Sequence, residues 1–234
     1  MLSIVIPTLN EENYLPFLLK SLREQKFHGD YELIVSDAGS EDGTVKIAES
    51  FGVKIAKGGF PGRGKNEGAK LAIGDLILFV DADVILPEDF LEKNLKEFQS
   101  RKLGVASFYL QSKNKIHNFL FHILFNFPSR ITEKILPQAM NVILIKKDIH
   151  QRIGGFNEEI KLGEELDYIR RGKFFGNFGV LKSVKVFASA RRYQQDGWFK
   201  TWSKYFLCQI YMFFWGPVKS DIFKYKFNHY KRKT

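Results

Sequence analysis

Two carboxylates placed directly after an apolar run are the residues of this chain best suited to chemistry. Asp81 and Asp83 follow the uninterrupted apolar run LILFV at 76–80. Their oxygens are hard ligands that suit Mg²⁺ or Mn²⁺, ions that keep few protein ligands and complete their shell with water and phosphate oxygens. The alternative is that the two residues cap a helix beginning near Pro87. The position after a buried strand favours a ligand site.

A glycine-rich segment forms a second candidate site. Between Gly58 and Gly68 the chain has four glycines ahead of a predicted helix, with Arg63 and Lys65 among them. Backbone N–H groups and these two cations can approach an anion there, although a plain flexible turn is the alternative. The segment lacks the GK[ST] ending of a Walker P-loop.

The elements that position these residues alternate between β-rich runs and amphipathic stretches. The predicted strands are Ser3–Ile6, Glu32–Ser36, Val53–Ala56 and Leu76–Val80, and the predicted helices are Glu11–Gln25, Thr44–Phe51 and Lys65–Ile73. This alternation predicts an α/β fold whose mostly parallel sheet has helices on both faces. Ligands of such sheets bind beyond the carboxyl ends of the strands, which is where the acidic residues follow.

The order of these motifs resembles family 2 of the inverting glycosyltransferases, which adopt the Rossmann-like GT-A fold. The resemblance is carried by SIVIPTLNEENYL, ELIVSDAGSEDGT, GRGKNEGAKLAIGDLILFVDAD, RIGGFNEE and GEELDYIRRG, and it spans residues 2 to about 195. A sugar nucleotidyltransferase fits less well, because PTLNEE stands where such enzymes have a glycine-rich signature. The resemblance implies a nucleotide-diphosphate sugar donor and a divalent metal, Mn²⁺ or Mg²⁺.

The resemblance also implies a role for each matching residue of the donor site. Pro7, Thr8 and Leu9 would line the base pocket, Glu11 would hold the ribose, Asp37 would accept a hydrogen bond from the base, Asp81 with Ala82 would contact the ribose or the metal's water shell, Asp83 would ligate the metal together with Asp81, and Arg63 and Lys65 would lie near the phosphates. Asp37 suits the N3–H of uracil, and guanine also offers an N–H donor. UDP is therefore preferred and GDP is the alternative. Asp37 could instead form only an Asx-turn.

The catalytic base is expected after the GGF segment at 154–156. Glu165 aligns with the base of the family, where Asp is more usual, and Glu164 competes for the role. Such a carboxylate removes the proton of the acceptor hydroxyl while the oxygen attacks the anomeric carbon. Arg191 and Arg192, in SARRYQQDGW, would stabilise the departing nucleotide diphosphate; otherwise they are surface arginines. The two acids could instead only stabilise the first turn of a helix.

The acceptor is not fixed by these motifs. A phosphate acceptor, as in a polyprenyl phosphate, needs no strong base, and Lys113, Lys115 or Arg130 would then hold it. A lipid-linked, glycolipid or saccharide hydroxyl acceptor needs the base at Glu165.

Length, charge and cysteine content restrict the class of protein further. A chain of 234 residues suits one large domain, and the single Cys208 excludes an intrachain disulfide and fits a reducing compartment. The N-terminus has no basic residue ahead of its apolar run and is expected to be a strand, not a signal peptide. The net charge is unevenly spread: 11 Lys/Arg against 17 Asp/Glu in 1–98, 17 against 8 in 99–197, and 8 against 1 in 198–234. No nucleic-acid-binding motif accompanies the basic part, so an anionic membrane is the expected partner.

Two amphipathic helices are predicted in the basic part of the chain. One covers Ile116–Phe127 and should end at Pro128, and the other covers Phe199–Phe213 within the run YFLCQIYMFFWGPV. That run has about 14 residues, whereas a spanning helix needs about 20. We expect both helices to lie on a membrane surface, and the alternative is that they are core or bury each other in a homodimer.

The sequence therefore predicts a GT-A catalytic domain at 1–197 and a basic aromatic helix and tail at 198–234. Residues 1–98 would form the nucleotide-binding half and 99–197 the acceptor and catalytic half. The predicted function is metal-assisted, inverting glycosyl transfer by a cytoplasmic protein peripheral at the inner face of the cell membrane. The alternative is a non-catalytic sugar-nucleotide or membrane-binding module with the same fold.

Overall fold

The computed structural model of the chain describes residues 1–133, 135, 137, 138 and 141–223. Its strands are β1 (Leu2–Thr8), β2 (Tyr31–Asp37), β3 (Lys54–Lys57), β4 (Leu76–Val80), β5 (Val84–Ile85), β6 (Val105–Gln111), β7 (Val142–Lys146) and β8 (Phe178–Ala188). Its helices are α1 (Leu15–Arg23), α2 (Thr44–Ser50), α3 (Pro61–Lys70), α4 (Phe90–Ser100), α5 (Lys115–Phe121), α6 (Phe127–Thr132), α7 (Lys147–Arg152), α8 (Glu164–Lys173), α9 (Arg191–Asp196) and α10 (Trp198–Phe214). A π-helical turn, His122–Asn126, joins α5 to α6.

The described strands form one sheet in the order β3-β2-β1-β4-β7-β6-β8-β5. β1 runs parallel to both β2 and β4, and β2 runs parallel to β3. β7 is antiparallel to β4 and β6, while β8 runs parallel to β6 and antiparallel to β5. The predicted α/β class with a mixed, mostly parallel sheet is therefore confirmed. Because β1, β2 and β4 are parallel, the residues that follow them meet at one edge.

Apolar cores cover both faces of this sheet. On one face Ile4 and Ile6 of β1 pack with the leucines of α1 and with α4. On the other face Val5 and Phe79 pack with residues of α3, α7 and α8. Burial on both sides explains why LILFV is an unbroken apolar run and not an alternating one.

Helix α3 begins earlier than the sequence indicated. The glycine-rich segment was expected to be a loop ahead of a helix at Lys65–Ile73, but α3 starts at Pro61 and ends at Lys70. Proline suits the first turn of a helix because its missing N–H has no helical partner there. Three of the glycines, Gly62, Gly64 and Gly68, thus lie inside the helix, where they let it approach β1.

The predicted helix at 11–25 begins only at Leu15, because Asn10 adopts a left-handed conformation with φ 55° and Pro16 lies in the first turn. The opposite correction applies to Pro128, which was expected to end a helix. It lies instead in the first turn of α6, so the helical path continues to Thr132.

The helical path from α5 to α6 turns large apolar side chains toward solvent. They recur every three or four residues, and we call them the α5–α6 stripe: Ile116, Phe119, Ile123, Phe127, Ile131 and, just beyond α6, Ile135. The opposite side is buried through Phe121, Asn126 and Ser129. The amphipathic helix was thus predicted correctly, but four of its predicted apolar residues are exposed.

Helix α10 has a buried side and an exposed side. Cys208 and Met212 pack on Leu162, Leu166 and Val218, at the start of α8 and just after α10. The opposite side exposes a set that we call the α10 face: Phe199, Phe206, Leu207, Ile210, Phe213, Phe214 and the adjoining Trp215. None of the helices in the described part of the chain combines the length and apolar character needed to cross a bilayer. Residues 224–234 of the predicted basic tail lie outside the described residues.

The close packing of α3 on β1 gives a test of the fold. A Cβ at Gly68 would lie 2.3 Å from Cγ1 of the buried Val5, whereas a Cβ at Gly62 meets nothing closer than 3.5 Å. We expect Gly68→Ala to lower the free energy of unfolding by about 1–3 kcal/mol through overpacking. Gly62→Ala in the same helix should change it little or raise it by up to about 1 kcal/mol, because alanine favours a helix. Denaturant unfolding of both variants measures this, and equal stabilities would contradict the packing described.

Candidate active site

Residues from both ends of the chain meet where β1, β2 and β4 end. Asp37, at the end of β2, is buried beside Thr8 of β1 and donates nothing to the core. Its carboxylate accepts hydrogen bonds from Thr8 Oγ1 (3.0 Å), Ser40 Oγ (2.5 Å), Gly39 N (2.9 Å) and Ser40 N (2.8 Å). These four bonds use the whole accepting capacity of a carboxylate. Asp37 thus forms the Asx-type turn that the sequence offered as its alternative, and its role toward a base remains a prediction.

Glu11, Asp83 and Arg191 form one ion-pair network. Both carboxylate oxygens of Glu11 accept from the Arg191 guanidinium, at 3.0 Å from Nη1 and 2.7 Å from Nη2. The Nε atom of Arg191 lies 3.2 Å from Asp83 Oδ2. Burial raises the pKa of Glu11 even though Arg191 opposes the shift. The structure therefore places a predicted leaving-group arginine on the predicted ribose and metal residues.

Asp81 lies deeper than Asp83. Its Oδ2 accepts from Asn141 Nδ2 at 3.1 Å, and its backbone N–H donates to Asn141 O at 3.1 Å. Burial raises its pKa to about 7; Lys65 opposes that shift, while Glu165 and Asp83 add to it. Neither aspartate caps the following helix, because α4 begins at Phe90 after Asp89.

Lys65 joins α3 to the predicted catalytic acids at the start of α8. It is 3% exposed, its Nζ lies 3.5 Å from Glu164 Oε1, and it pairs more closely with Glu165. The Lys65 ammonium also lies 5.2 Å from the centre of the Phe156 ring. Lys65 is therefore not in an open anion-binding loop. Its predicted contact with donor phosphates stays a prediction, because α3 turns its ammonium to the acids.

The two acids differ in environment. Glu164 is 6% exposed, and burial, assisted by the neighbouring Glu165 charge, raises its pKa to about 7. Glu165 is also affected by burial, but its ion pair with Lys65 outweighs that effect and lowers its pKa. Its side chain is 26% exposed, against 8% for Glu164. At neutral pH the pair thus offers an ionised, reachable Glu165 beside a largely protonated, enclosed Glu164.

The start of α8 is held in place by the C-terminal helix. Gly163, just before Glu164, has φ 80°, and a Cβ there would lie 2.9 Å from Met212 Sδ. Since left-handed backbone favours glycine, this residue lets α10 approach the acids closely. Helix α10 therefore supports the site from behind and is not an independent appendage.

The arginine segment is packed between the two solvent-facing helical regions. Arg192 contacts the hydroxyl of Tyr205 on α10. Tyr193 stacks on Trp198 with ring centres 4.3 Å apart, and both rings contact Phe121 of α5. Arg191 and Arg192 open the short helix α9 and do not lie on a strand edge.

The remaining predicted residues occupy the rim of the site. Pro7 and Leu9 are half-buried at and just after the end of β1, Ala82 is buried between the two aspartates, and Arg63 is exposed on α3. Lys113, Lys115 and Arg130 are exposed on and around α5 and α6.

Two residues near the site were missed by the sequence analysis. Asn141 binds Asp81, and the Tyr14 ring lies 4.4 Å from the Arg191 guanidinium. The signal for Asn141 was a polar residue just before the apolar strand VILIK, the counterpart of Asp81 after LILFV. No local signal pointed to Tyr14.

Asp83 and Asp81 are the residues that could hold a divalent metal. Asp83 is already paired with a cation, the Arg191 guanidinium, so its carboxylate is placed to receive positive charge. Among the residues that the structure describes, no group of three or more His, Cys, Asp or Glu side chains could hold a metal ion. Two carboxylates fit Mg²⁺ or Mn²⁺, which take their remaining ligands from water and phosphate.

Comparison with known proteins identifies relatives of the chain. The family model described as glycosyl transferase family 2 matches residues 3–157. The uncharacterized glycosyltransferase YfnE of Bacillus subtilis is 29% identical over 154 residues, 58% of this chain and 39% of YfnE. Poly(ribitol-phosphate) beta-N-acetylglucosaminyltransferase TarS of Staphylococcus aureus is 34% identical over 99 residues, 38% of this chain and 17% of TarS. The matched region is thus well under two thirds of either relative.

Solved structures share the fold. The TarS 1–349 structure has a TM-score of 0.64 and 24% identity, covering 90% of this chain and 65% of that one. The mannosyltransferase PcManGT of Pyrobaculum calidifontis, solved with GDP-Man and Mn²⁺, has a TM-score of 0.68 and 18% identity, covering 89% and 62%. At these identities the likeness shows the fold alone. The family model, however, covers well over half of the sequence, and the chain therefore belongs to glycosyl transferase family 2.

Proposed function

We propose that the protein transfers a sugar with inversion from a nucleoside diphosphate sugar, UDP-linked in preference to GDP-linked, using Glu165 as the general base. The observation that carries the proposal is the acid pair at the start of α8. Lys65 favours the ionised form of Glu165, which is the form that can accept a proton, while Glu164 is enclosed and favours its protonated form. TarS and PcManGT use, by their names and ligands, a UDP-sugar and a GDP-sugar respectively.

The reaction follows from these charges. Glu165 takes the proton from the acceptor hydroxyl as the oxygen forms a bond to the anomeric carbon. The bond between that carbon and the diphosphate oxygen breaks, and the electron pair leaves with the nucleoside diphosphate on the opposite face. Arg191 and Arg192 lie at the same edge as cations for the leaving group. Lys65 keeps Glu165 oriented and ionised.

Asp83, with Asp81 behind it, would hold a divalent metal. When bound, such an ion supplies Lewis-acid neutralisation of the diphosphate charge. Mn²⁺ is present in the PcManGT structure, which supports but does not decide the choice of metal here.

We further propose that the protein works at the inner face of the cytoplasmic membrane on a lipid-linked acceptor. Two exposed apolar surfaces, the α5–α6 stripe and the α10 face, support this. The aromatic contacts of Tyr193 and Trp198 join α9 and α10 to α5, so both surfaces belong to one packed unit beside the arginine segment. The excess of Lys and Arg in 99–234 suits anionic lipid, with each cation near the leaflet contributing about 1 kcal/mol.

The base assignment can be tested with paired amide substitutions. Glu165→Gln should lower turnover about 10²–10⁴-fold with little change in donor affinity, because the proton acceptor is lost. Glu164→Gln resembles the protonated acid and should keep turnover within about threefold of wild type at neutral pH. Folding should survive both changes, since either remaining acid can pair with Lys65.

Turnover and donor affinity are measured for both variants with the same donor. A reversed pattern would make Glu164 the base. If neither variant loses turnover, the acceptor is already ionised, as expected for a phosphate.

The donor and metal assignments share one experiment. Thermal unfolding is followed with UDP-, GDP- and other nucleotide sugars, with Mn²⁺ or with EDTA. We expect UDP-sugars with Mn²⁺ to raise the melting temperature most, because a bound ligand stabilises the folded state by mass action. Asp83→Asn should remove the metal-dependent part of the shift. A shift of equal size in EDTA would contradict the metal role, and the absence of any shift with every donor would favour a non-catalytic module.

Membrane binding is best tested without truncation. A chain ending near Asp196 would expose Leu162 and Leu166, which α10 covers. We therefore choose Phe213→Ser with Trp215→Ser on the α10 face, and Phe174→Ser as a control, because Phe174 is 87% exposed but lies at the end of α8.

Wild type should co-sediment with anionic phosphatidylglycerol vesicles, less so at raised salt, and only weakly with neutral phosphatidylcholine. The α10 variant should lose at least about tenfold in vesicle affinity, because two aromatic side chains no longer enter the headgroup region. Phe174→Ser should bind as wild type. Wild type remaining in the supernatant at low salt would contradict the membrane proposal and leave a dimer contact as the use of these surfaces.

A further inference from the structure

Arg191 occupies the donor end of the site with an unusual set of partners. Its Nη1 and Nη2 donate to the two oxygens of Glu11, and its Nε lies 3.2 Å from Asp83 Oδ2. Its guanidinium also lies 4.4 Å from the centre of the Tyr14 ring. All three guanidinium nitrogens thus contact a carboxylate to which the proposed function gives another ligand, the ribose for Glu11 and the metal for Asp83.

These contacts solve an electrostatic problem of the nucleotide-free protein. Glu11 and Asp83 are largely enclosed, with side chains 14% and 15% exposed, and they repel each other. Unpaired charges at such positions are costly, and a fork-shaped guanidinium can satisfy both at once. Arg191 supplies this cation from a position 180 residues away from Glu11.

The same contacts conflict with metal binding. A divalent ion on Asp83 would stand beside the positive charge of Arg191 on the same carboxylate, and like charges this close repel strongly. A nucleoside diphosphate removes the conflict, because its phosphates offer the guanidinium a bidentate anionic partner. Its ribose also offers hydroxyl groups to Glu11 in place of the arginine.

We propose that Arg191 is an exchangeable counter-cation that makes metal binding depend on the nucleotide. Without nucleotide it neutralises Glu11 and Asp83; with nucleotide it transfers to the diphosphate and leaves Asp83 to the metal and Glu11 to the ribose. The proposal rests on the donor and metal sites of the proposed function and adds their coupling. Stacking of Tyr193 on Trp198 anchors α9, so the exchange involves the Arg191 side chain and not the unfolding of the helix.

The coupling is measurable without turnover. Mn²⁺ binding is followed by electron paramagnetic resonance of the free ion, with and without UDP, on wild type, Arg191→Gln and Arg191→Lys. Arg152→Gln is the control for net charge, since Arg152 is exposed and pairs only loosely, at 3.7 Å, with Asp148. Thermal unfolding of each variant establishes that it is folded before titration.

Wild type should bind Mn²⁺ weakly alone and at least about tenfold more tightly with UDP, within the usual range of coupling between sites. Arg191→Gln should bind Mn²⁺ at least about tenfold more tightly than wild type when UDP is absent. Because coupling is reciprocal, Mn²⁺ should then improve UDP binding to this variant less than it improves binding to wild type. Arg191→Lys keeps the charge and should fall between them, and Arg152→Gln should match wild type.

Two results overturn the proposal while sparing the proposed function: tight Mn²⁺ binding by nucleotide-free wild type, or nucleotide-free Arg191→Gln that binds Mn²⁺ no better than wild type. If no protein binds Mn²⁺ even with UDP, the counter-cation role fails together with the metal site. Glycosyl transfer by wild type in EDTA then decides separately whether the proposed function survives.

Discussion

Carboxylates crowd the carboxyl edge of the sheet, and two cations from distant parts of the chain balance them. Lys65 pairs with Glu164 and Glu165, and Arg191 pairs with Glu11 and Asp83. Breaking a buried pair leaves an uncompensated charge, which costs several kcal/mol. The acids can therefore remain close together and ionised only while both cations stay in place, and the chemistry of the edge depends on that balance.

Each of these cations connects the two halves of the chain. Lys65 belongs to the first hundred residues and its partners to α8, whereas Arg191 belongs to α9 and its partners follow β1 and β4. The sheet connects the halves in the same way, because β7 from the second half pairs with β4 from the first. The nucleotide-binding and catalytic halves predicted from the sequence are therefore regions of one sheet that complete each other's site.

Local patterns predicted the sheet well and the site only in part. The strands β1, β2 and β4 and the start of α8 were found because an apolar run followed by polar residues is a short-range signal. The partners of Lys65 lie about a hundred residues away, and no local pattern encodes such a contact. The start of α3 was missed because its glycines were interpreted as loop residues, while their actual cause is contact with β1. Pro128 was misinterpreted for a similar reason, since proline is as much at home in a first helical turn as after a last one.

The π-helical turn makes the length of the α5–α6 region matter to a single residue. Asn126 closes this turn, and its side-chain amide bonds both the N–H and the C=O of Leu110 at the end of β6, at 2.9 and 2.7 Å. A π turn holds one residue more than an α-helical path of the same rise. Loss of one residue here would restore the α-helical path and rotate all that follows by about 100°. Such a deletion would carry Asn126 away from β6 and turn part of the apolar stripe inward, so in the descent of this protein substitutions should be tolerated in this segment far more readily than changes of length.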